Sequence, residues 1–225
     1  MKFRHELKHY INYFDYIIIS NRLKQVMEND SYANENGEYK VRSLYFDNYN
    51  DKVLKEKLNG INHRDKYRIR LYNDDTSFIR LEKKSKINGL CKKISSRISK
   101  EEVQLILDGN IDFLNNKENS LFNELFEKMS KELLKPKTIV DYIRESYIYP
   151  TGNVRVTFDK SIKSGLNSIN ILSSEIPTLE TLNSNLIVLE VKYDEFLPEL
   201  IADMLQIKER KNSSISKYAL CRMYN

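Results

Sequence analysis

Hydrophobic and polar residues alternate along most of this chain, and a period of two marks β-strands with one apolar and one polar face. In Lys66-Tyr67-Arg68-Ile69-Arg70-Leu71-Tyr72, for example, Lys66, Arg68, Arg70 and Tyr72 point one way and Tyr67, Ile69 and Leu71 the other. The same pattern predicts strands over 2–11, 40–47, 64–72, 77–85, 90–98, 137–149, 154–162 and 186–194. Asn73-Asp74-Asp75-Thr76 and Lys86-Ile87-Asn88-Gly89 suit hairpin turns, so 64–98 reads as an antiparallel meander. Helical spacing predicts helices over 13–29, 50–58, 99–107 and 120–134, one starting at Pro198, and a terminal one over 213–222. Ser99-x-x-Glu102 is a capping box that fixes where the third begins. The stretch 167–185 has no clear period and reads as an irregular loop with short strand pieces. About eight antiparallel strands with helices between them predict an α+β fold in which the sheet closes into an eight-stranded barrel with the helices packed outside.

Composition narrows the class. A chain of 225 residues is long enough for one large domain, and 1–225 is expected to be a single unit. Hydrophobic residues make up 40% and charged residues 31%, with only 6 Gly and 4 Pro, which excludes collagen-like, linker-like and broadly disordered chains. No apolar run reaches the ~18 residues of a spanning helix, and Met1-Lys2-Phe3-Arg4-His5-Glu6 leads into no signal-peptide core, so a cytoplasmic protein without transmembrane segments is expected. Cys91 and Cys221 have no paired spacing, which argues against a disulfide framework or a structural zinc site. His5, His9 and His63 share no metal spacing either. The run Tyr16-Ile17-Ile18-Ile19 reads as a packed helix face, and Lys52, Lys55 and Lys57 with Asp51 and Glu56 as an exposed one.

Lys plus Arg number 37 against 32 Asp plus Glu, a net charge of +5, and the placement of these charges says more than the total. Six strand faces repeat one polar phase. Each carries Arg or Lys, and three carry a Glu two residues before a Lys: Glu6-x-Lys8, Glu82-x-Lys84 and Glu190-x-Lys192. One reading makes these the solvated faces of a half-buried sheet. The other turns them into the barrel, where many like charges repel and lose hydration unless an anion balances them. A chain of phosphates matches the donor geometry of Arg and the point charge of Lys. Carboxylates facing phosphates then call for a divalent cation, Mn²⁺ or Mg²⁺, with Glu6, Glu82 and Glu190 as its candidate ligands.

Taken in order, Arg4-His5-Glu6-Leu7-Lys8, Ser43-Leu44-Tyr45-Phe46-Asp47-Asn48, Lys66-Tyr67-Arg68-Ile69-Arg70, Leu81-Glu82-Lys83-Lys84, Arg155-Val156-Thr157-Phe158-Asp159, Leu189-Glu190-Val191-Lys192 and Ser214-Ile215-Ser216-Lys217-Tyr218 span nearly the whole chain. In these segments the chain resembles the triphosphate tunnel metalloenzymes, and among them the polyphosphate polymerase domain of the vacuolar transporter chaperone (VTC) family. The resemblance implies a tunnel that binds the triphosphate of a nucleotide, usually ATP, with a divalent metal. It implies that Lys8, Arg68, Arg70, Lys84, Arg144 and Arg155 line the tunnel, with Lys93 and Tyr142 as further ligands of the substrate. Glu190 looks like the metal ligand with Lys192 beside it, and Ser216 and Lys217 look like a pair brought to the tunnel mouth by the terminal helix. The hydrolase branch typically shows Glu-x-Glu-x-Lys on its first strand; Arg4-x-Glu6-x-Lys8 departs from it and favours the polymerase branch. The regulatory domain and membrane spans of the vacuolar proteins are not seen in the sequence, so polymer translocation and inositol-phosphate sensing are not expected.

Phosphoryl transfer needs in-line alignment and neutralised charge more than covalent help from the protein. The expected reaction is attack by the terminal oxygen of a growing inorganic polyphosphate chain on the γ-phosphorus of ATP. Two alternatives stay open: a metal-dependent triphosphatase, with water in the acceptor place, and a module that binds polyphosphate or nucleotide without turnover. Nucleic-acid binding has only Tyr45, Tyr67 and Tyr72 near basic residues in its favour and no recognisable motif, so no nucleic-acid partner is expected. The sequence leaves the oligomeric state open.

Overall fold

A computed structural model describes residues 3–30, 33–115, 118–183, 185–206 and 210–223. The alternating segments form one antiparallel sheet: β1 (His5–Asn12), β2 (Glu28–Asn29), β3 (Glu38–Asp47), β4 (His63–Tyr72), β5 (Asp75–Ile87), β6 (Leu90–Ile98), β7 (Lys135–Tyr149), β8 (Val154–Ser164), β9 (Leu179–Glu180) and β10 (Leu186–Tyr193). Their spatial order is β1-β10-β8-β7-β3-β4-β5-β6, with β2 added to β7 and β9 to β8. The helices are α1 (Tyr13–Leu23), α2 (Lys52–Leu58), α3 (Lys100–Leu107), α4 (Asp112–Asn115), α5 (Ser120–Glu132), α6 (Glu199–Met204) and α7 (Lys217–Arg222). The capping box of α3 is present, with Ser99 and Glu102 bonding each other's backbone N–H groups.

The period of two sorts the side chains. Leu44, Phe46, Ile69, Leu71, Ile79 and Leu81 turn their apolar face toward Val103, Ile106, Leu121, Phe122 and Leu125 of α3 and α5. A second core joins Val156, Phe158, Leu189 and Val191 to Ile19 and Leu23 of α1 and to Ile201 and Leu205. Each of these side chains, fully buried, contributes on the order of 1.5–3 kcal/mol. Because the helices occupy the apolar side of the sheet, the opposite, charged side is left to enclose a space of its own.

The antiparallel α+β architecture agrees with the sequence, but the closed eight-stranded barrel does not. The sheet has ten strands and its ladder is an open path. Its two ends, β1 and β6, meet at one bridge, where Arg4 and Cys91 exchange two backbone hydrogen bonds of 3.1 Å. Further along β1 the C-terminal segment takes the free edge. Ser213 N–H donates to Lys8 O (2.8 Å), and Lys8 N–H donates to Asn212 Oδ1 (3.1 Å). Those groups are then not available to β6.

Other differences are local. The helix predicted over 13–29 ends at Leu23, because the chain turns over Lys24–Met27 and Glu28–Asn29 pair with Ile148 and Tyr147. Only part of the Tyr16–Ile19 run is a packed face: Ile19 is buried, but Ile17 and Ile18 are exposed. The terminal helix is shorter than predicted, because Ser213 is bonded to the edge of β1 and the helix begins only at its N-cap, Ser216. Lys2, the first residue of the first predicted strand, lies outside the described residues. No helix among the described residues is long and apolar enough to cross a membrane.

Candidate functional site

The polar face of the sheet encloses a cavity of about 450 Å³, and every site residue singled out from the sequence lines it except Glu82, which is wholly buried beneath its cations. β4 contributes Arg68 and Arg70, β5 Lys84, β6 Lys93, β1 Glu6 and Lys8, β10 Glu190 and Lys192, β8 Arg155, and β7 Tyr142 and Arg144. Ser216 and Lys217 arrive from the far end of the chain, at the start of α7.

The charges sort into groups. Glu82 gathers Arg68 Nη2 (2.6 Å), Lys93 Nζ (3.0 Å) and Arg70 Nη1 (3.6 Å). Arg68 also donates to the Tyr45 hydroxyl (2.8 Å), and Arg70 to Ser43 Oγ (3.0 Å) and the Tyr142 hydroxyl (3.3 Å). Burial works to raise the Glu82 carboxyl, but Arg68, Arg70 and Lys93 outweigh it and hold it well below the usual carboxylate range. On the facing strands, Lys8 pairs with Glu6 (2.7 Å) and reaches Glu190 (3.7 Å), Lys84 pairs with Glu6 (2.5 Å), and Lys192 with Glu190 (2.5 Å). Burial again opposes ionisation of Glu6 and Glu190, and the surrounding ammonium groups prevail, so both lie well below their ordinary range. Burial acts the other way on Lys192: it overcomes the attraction of Glu190 and Glu6 and brings the amine down to about 8.

A third group centres on Asp159, fully buried, the last residue of the Arg155–Asp159 motif, for which the sequence predicts no role. Arg144 grips it with two bonds, 2.7 Å from Nε and 2.9 Å from Nη2, and Lys217 pairs with it at 2.5 Å. Arg155 pairs with Asp30 and donates to Ser146 Oγ (3.0 Å). The signal for Asp159 was present: it stands four residues from Arg155 on the same strand face. Asp30 had none, since the sequence placed it in no element. Lys57, read as part of an exposed helix face, instead lines the cavity and donates to Ser214 O (2.7 Å).

The three candidate metal carboxylates do not form one group, and among the described residues no three His, Cys, Asp or Glu side chains gather to hold a metal ion. Glu82 is committed to two guanidinium groups and an ammonium. Glu6 and Glu190 remain, close enough to repel each other and both bound to Lys8. Two hard carboxylates in a polar cavity fit a divalent cation that takes its other ligands from phosphate oxygens and water.

An antiparallel α+β sheet folded around a cation-lined cavity is the class that these elements define. The chain belongs to the VTC domain family, whose model matches residues 3–224. Among solved structures it resembles a candidate adenylate cyclase from Vibrio parahaemolyticus, with 12% identity, 98% of each chain covered and a TM-score of 0.51. It also resembles a conserved hypothetical protein from Pyrococcus furiosus, with 14% identity, 95% of this chain and 96% of that one covered, and a TM-score of 0.50. At such identities the likeness concerns the fold alone. No curated protein matches the sequence.

Proposed function

We propose that this protein is a phosphoryl transferase that makes inorganic polyphosphate from the γ-phosphate of ATP inside the charged cavity. One observation carries the reading: guanidinium and ammonium groups from β1, β4, β5, β6, β7, β8 and β10 converge on one space with too few carboxylates to balance them. Around the lining cations stand Glu6, Glu82, Glu190, Asp159 and Asp30, and each already serves at least one of them. Binding a triphosphate relieves the excess positive charge, and several of the cations it would meet, Arg70, Arg144 and Lys217 among them, are buried, which strengthens Coulomb attraction.

In this reading Arg68, Arg70, Lys84, Lys93, Arg144 and Arg155 hold the phosphates, and Lys8, Lys192 and Lys217 bring positive charge to the oxygens on which negative charge builds during transfer. Tyr142 and Ser216 supply hydroxyl donors. The fixed strands keep donor and acceptor phosphates in line, the main catalytic demand of phosphoryl transfer. Glu190 with Glu6 would hold the Mn²⁺ or Mg²⁺ that such chemistry uses, and the ion would withdraw charge from the phosphate oxygens. The anionic terminal oxygen of the acceptor chain forms the new bond to the γ-phosphorus as the β–γ bridging P–O bond breaks and ADP leaves, so no Ser, Cys or His nucleophile is needed. The setting assumed is the cytoplasm, where ATP is at hand, with 1–225 acting as a single domain.

Incubation with ATP and Mn²⁺ followed by gel electrophoresis tests this. A ladder of long phosphate polymer supports the polymerase. Release of free phosphate alone overturns it in favour of a triphosphatase. Tight binding with no product, unchanged in Glu190→Ala, overturns it in favour of a binding module.

A further inference from the structure

The cations of the cavity are not all alike. Most of the others touch carboxylates, Lys92 on β6 being an exception, but at the end beside α2 and the C-terminal segment lie Lys57, Arg64, Lys66 and Lys86, and among the described residues none of the four has a carboxylate within ion-pair distance. Lys66 donates to Ser216 Oγ (3.1 Å) and stands 5.6 Å from the centre of the Tyr218 ring. Lys57 reaches the carbonyl and hydroxyl of Ser214, and Arg64 the carbonyl of Ile61. Neutral oxygens satisfy these donors without cancelling their charge. Burial, then Lys8, Lys84, Arg64 and Lys57, push the Lys66 amine well below its ordinary value; burial, then Arg64, Lys8 and Lys86, lower Lys57.

We propose that Lys57, Arg64, Lys66 and Lys86 form a second anion subsite, separate from the triphosphate position, which holds the acceptor polyphosphate chain as it enters or leaves the cavity. The proposal rests on the polyphosphate reading above and gives the site a polarity: the nucleotide phosphates occupy the centre, where the carboxylates stand among the cations, and the chain lies toward the C-terminal segment. Three of the four cations are lysines, whose mobile point charges suit a flexible string of phosphates better than one planar oxyanion. A nucleic-acid backbone carries similar charge, but it binds such channels with bases stacked on exposed aromatic rings. Of the tyrosine rings that line the cavity, Tyr39, Tyr45, Tyr142 and Tyr218 are buried, and the half-buried Tyr72 packs edge-on against Tyr39.

The test is a titration of the whole protein and of the triple variant Lys57→Ala, Arg64→Ala, Lys86→Ala with tripolyphosphate and with long-chain polyphosphate, at physiological salt, with thermal melting to confirm folding. The wild type is expected to bind the long chain more tightly than tripolyphosphate. The triple variant should lose about tenfold or more of its long-chain affinity while its tripolyphosphate affinity stays within about twofold. Lys57→Gln alone, which removes one charge and keeps a donor for Ser214, should show part of the same selective loss. Equal loss for both ligands, no loss for either, or displacement of the long chain by an RNA oligonucleotide at comparable concentration would overturn the subsite. Failure of the wild type to bind either phosphate would instead overturn the polyphosphate reading on which it rests.

Discussion

The Tyr218 hydroxyl donates to the Asp47 carboxylate at 2.5 Å, joining the last helix to the end of β3 across 171 residues of sequence. Asp47 is completely buried and also accepts from the backbone N–H groups of Asn48 (2.9 Å), Val53 (2.9 Å) and Leu54 (3.1 Å). It thereby caps the first turn of α2, whose own N-cap residue, Asp51, makes no side-chain cap bond. One carboxylate therefore fixes α2 and α7 to each other and sets where Ser216 and Lys217 enter the cavity.

Tyr218→Phe removes one hydrogen bond and leaves Asp47 its backbone donors, so chemical denaturation should show a loss of about 1 kcal/mol. Asp47→Ala strands the Val53 and Leu54 N–H groups and the phenol together, and about 2–4 kcal/mol should go. In both variants kcat/KM for ATP should fall, because in the proposed reading the displaced Ser216 holds phosphate and Lys217 supplies charge during transfer. An unchanged kcat/KM in a folded Asp47→Ala would show that α7 does not position the site.

Asp159 gives a sharper contrast. It is wholly buried between Arg144 and Lys217, so Lys217→Met and Arg144→Lys each leave it one strong partner. Lysine cannot reproduce the two-bond grip of Arg144, and removing one member of a buried ion group typically costs about 3–5 kcal/mol. Each variant should melt lower, and Asp159→Asn added to Lys217→Met should lower it further, because it takes from the buried Arg144 guanidinium the carboxylate that both its bonds reach. A double variant as stable as Lys217→Met would mean that Arg144 draws its balancing charge from elsewhere.

How much of this was legible in the sequence depends on the range of the interaction. Strand faces follow from the period of two, so Arg68, Arg70 and Tyr142 could be placed on one side of the sheet from local pattern, and their meeting in one cavity agrees with it. Edge pairing has no such local signal. That Asn212 and Ser213 would take the edge of β1 and limit its contact with β6 depends on chain ends that meet only in three dimensions. The same holds for Asp47 and Tyr218, which were quoted in separate motifs with nothing to link them. Lys57 was misread because helical position alone does not tell a lysine over solvent from one reaching into a cavity.

The carboxylates should separate by role. Glu82→Gln leaves Arg68, Arg70 and Lys93 without their shared counter-ion, so the unliganded protein should melt well below the wild type. Tripolyphosphate should recover much of that difference, as any ligand confined to the folded state does. Its Mn²⁺ requirement should stay close to that of the wild type. Glu190→Gln should instead raise the Mn²⁺ concentration needed for half-maximal activity, with a smaller effect on melting. If Glu82→Gln shifts the metal requirement and Glu190→Gln does not, the assignment of ligands is reversed.

Lys192 makes the site sensitive to pH in a definite direction. Burial brings its amine from the ordinary 10.5 down to about 8, against the pull of Glu190 and Glu6, with Lys84 and Arg144 adding to the depression. Between those two values the unfolded chain binds more protons than the folded one, so this group makes stability rise with pH across that window. Ligand binding runs the opposite way. A triphosphate favours the ammonium form, so binding above a pH of about 8 must take up a proton, and affinity should fall as pH rises through the window. Calorimetry in buffers of different ionisation enthalpy reads the uptake directly. Lys192→Arg, charged throughout, should reduce that uptake. A wild type whose triphosphate affinity is flat across this range, with no proton taken up, would mean that Lys192 does not meet the phosphates.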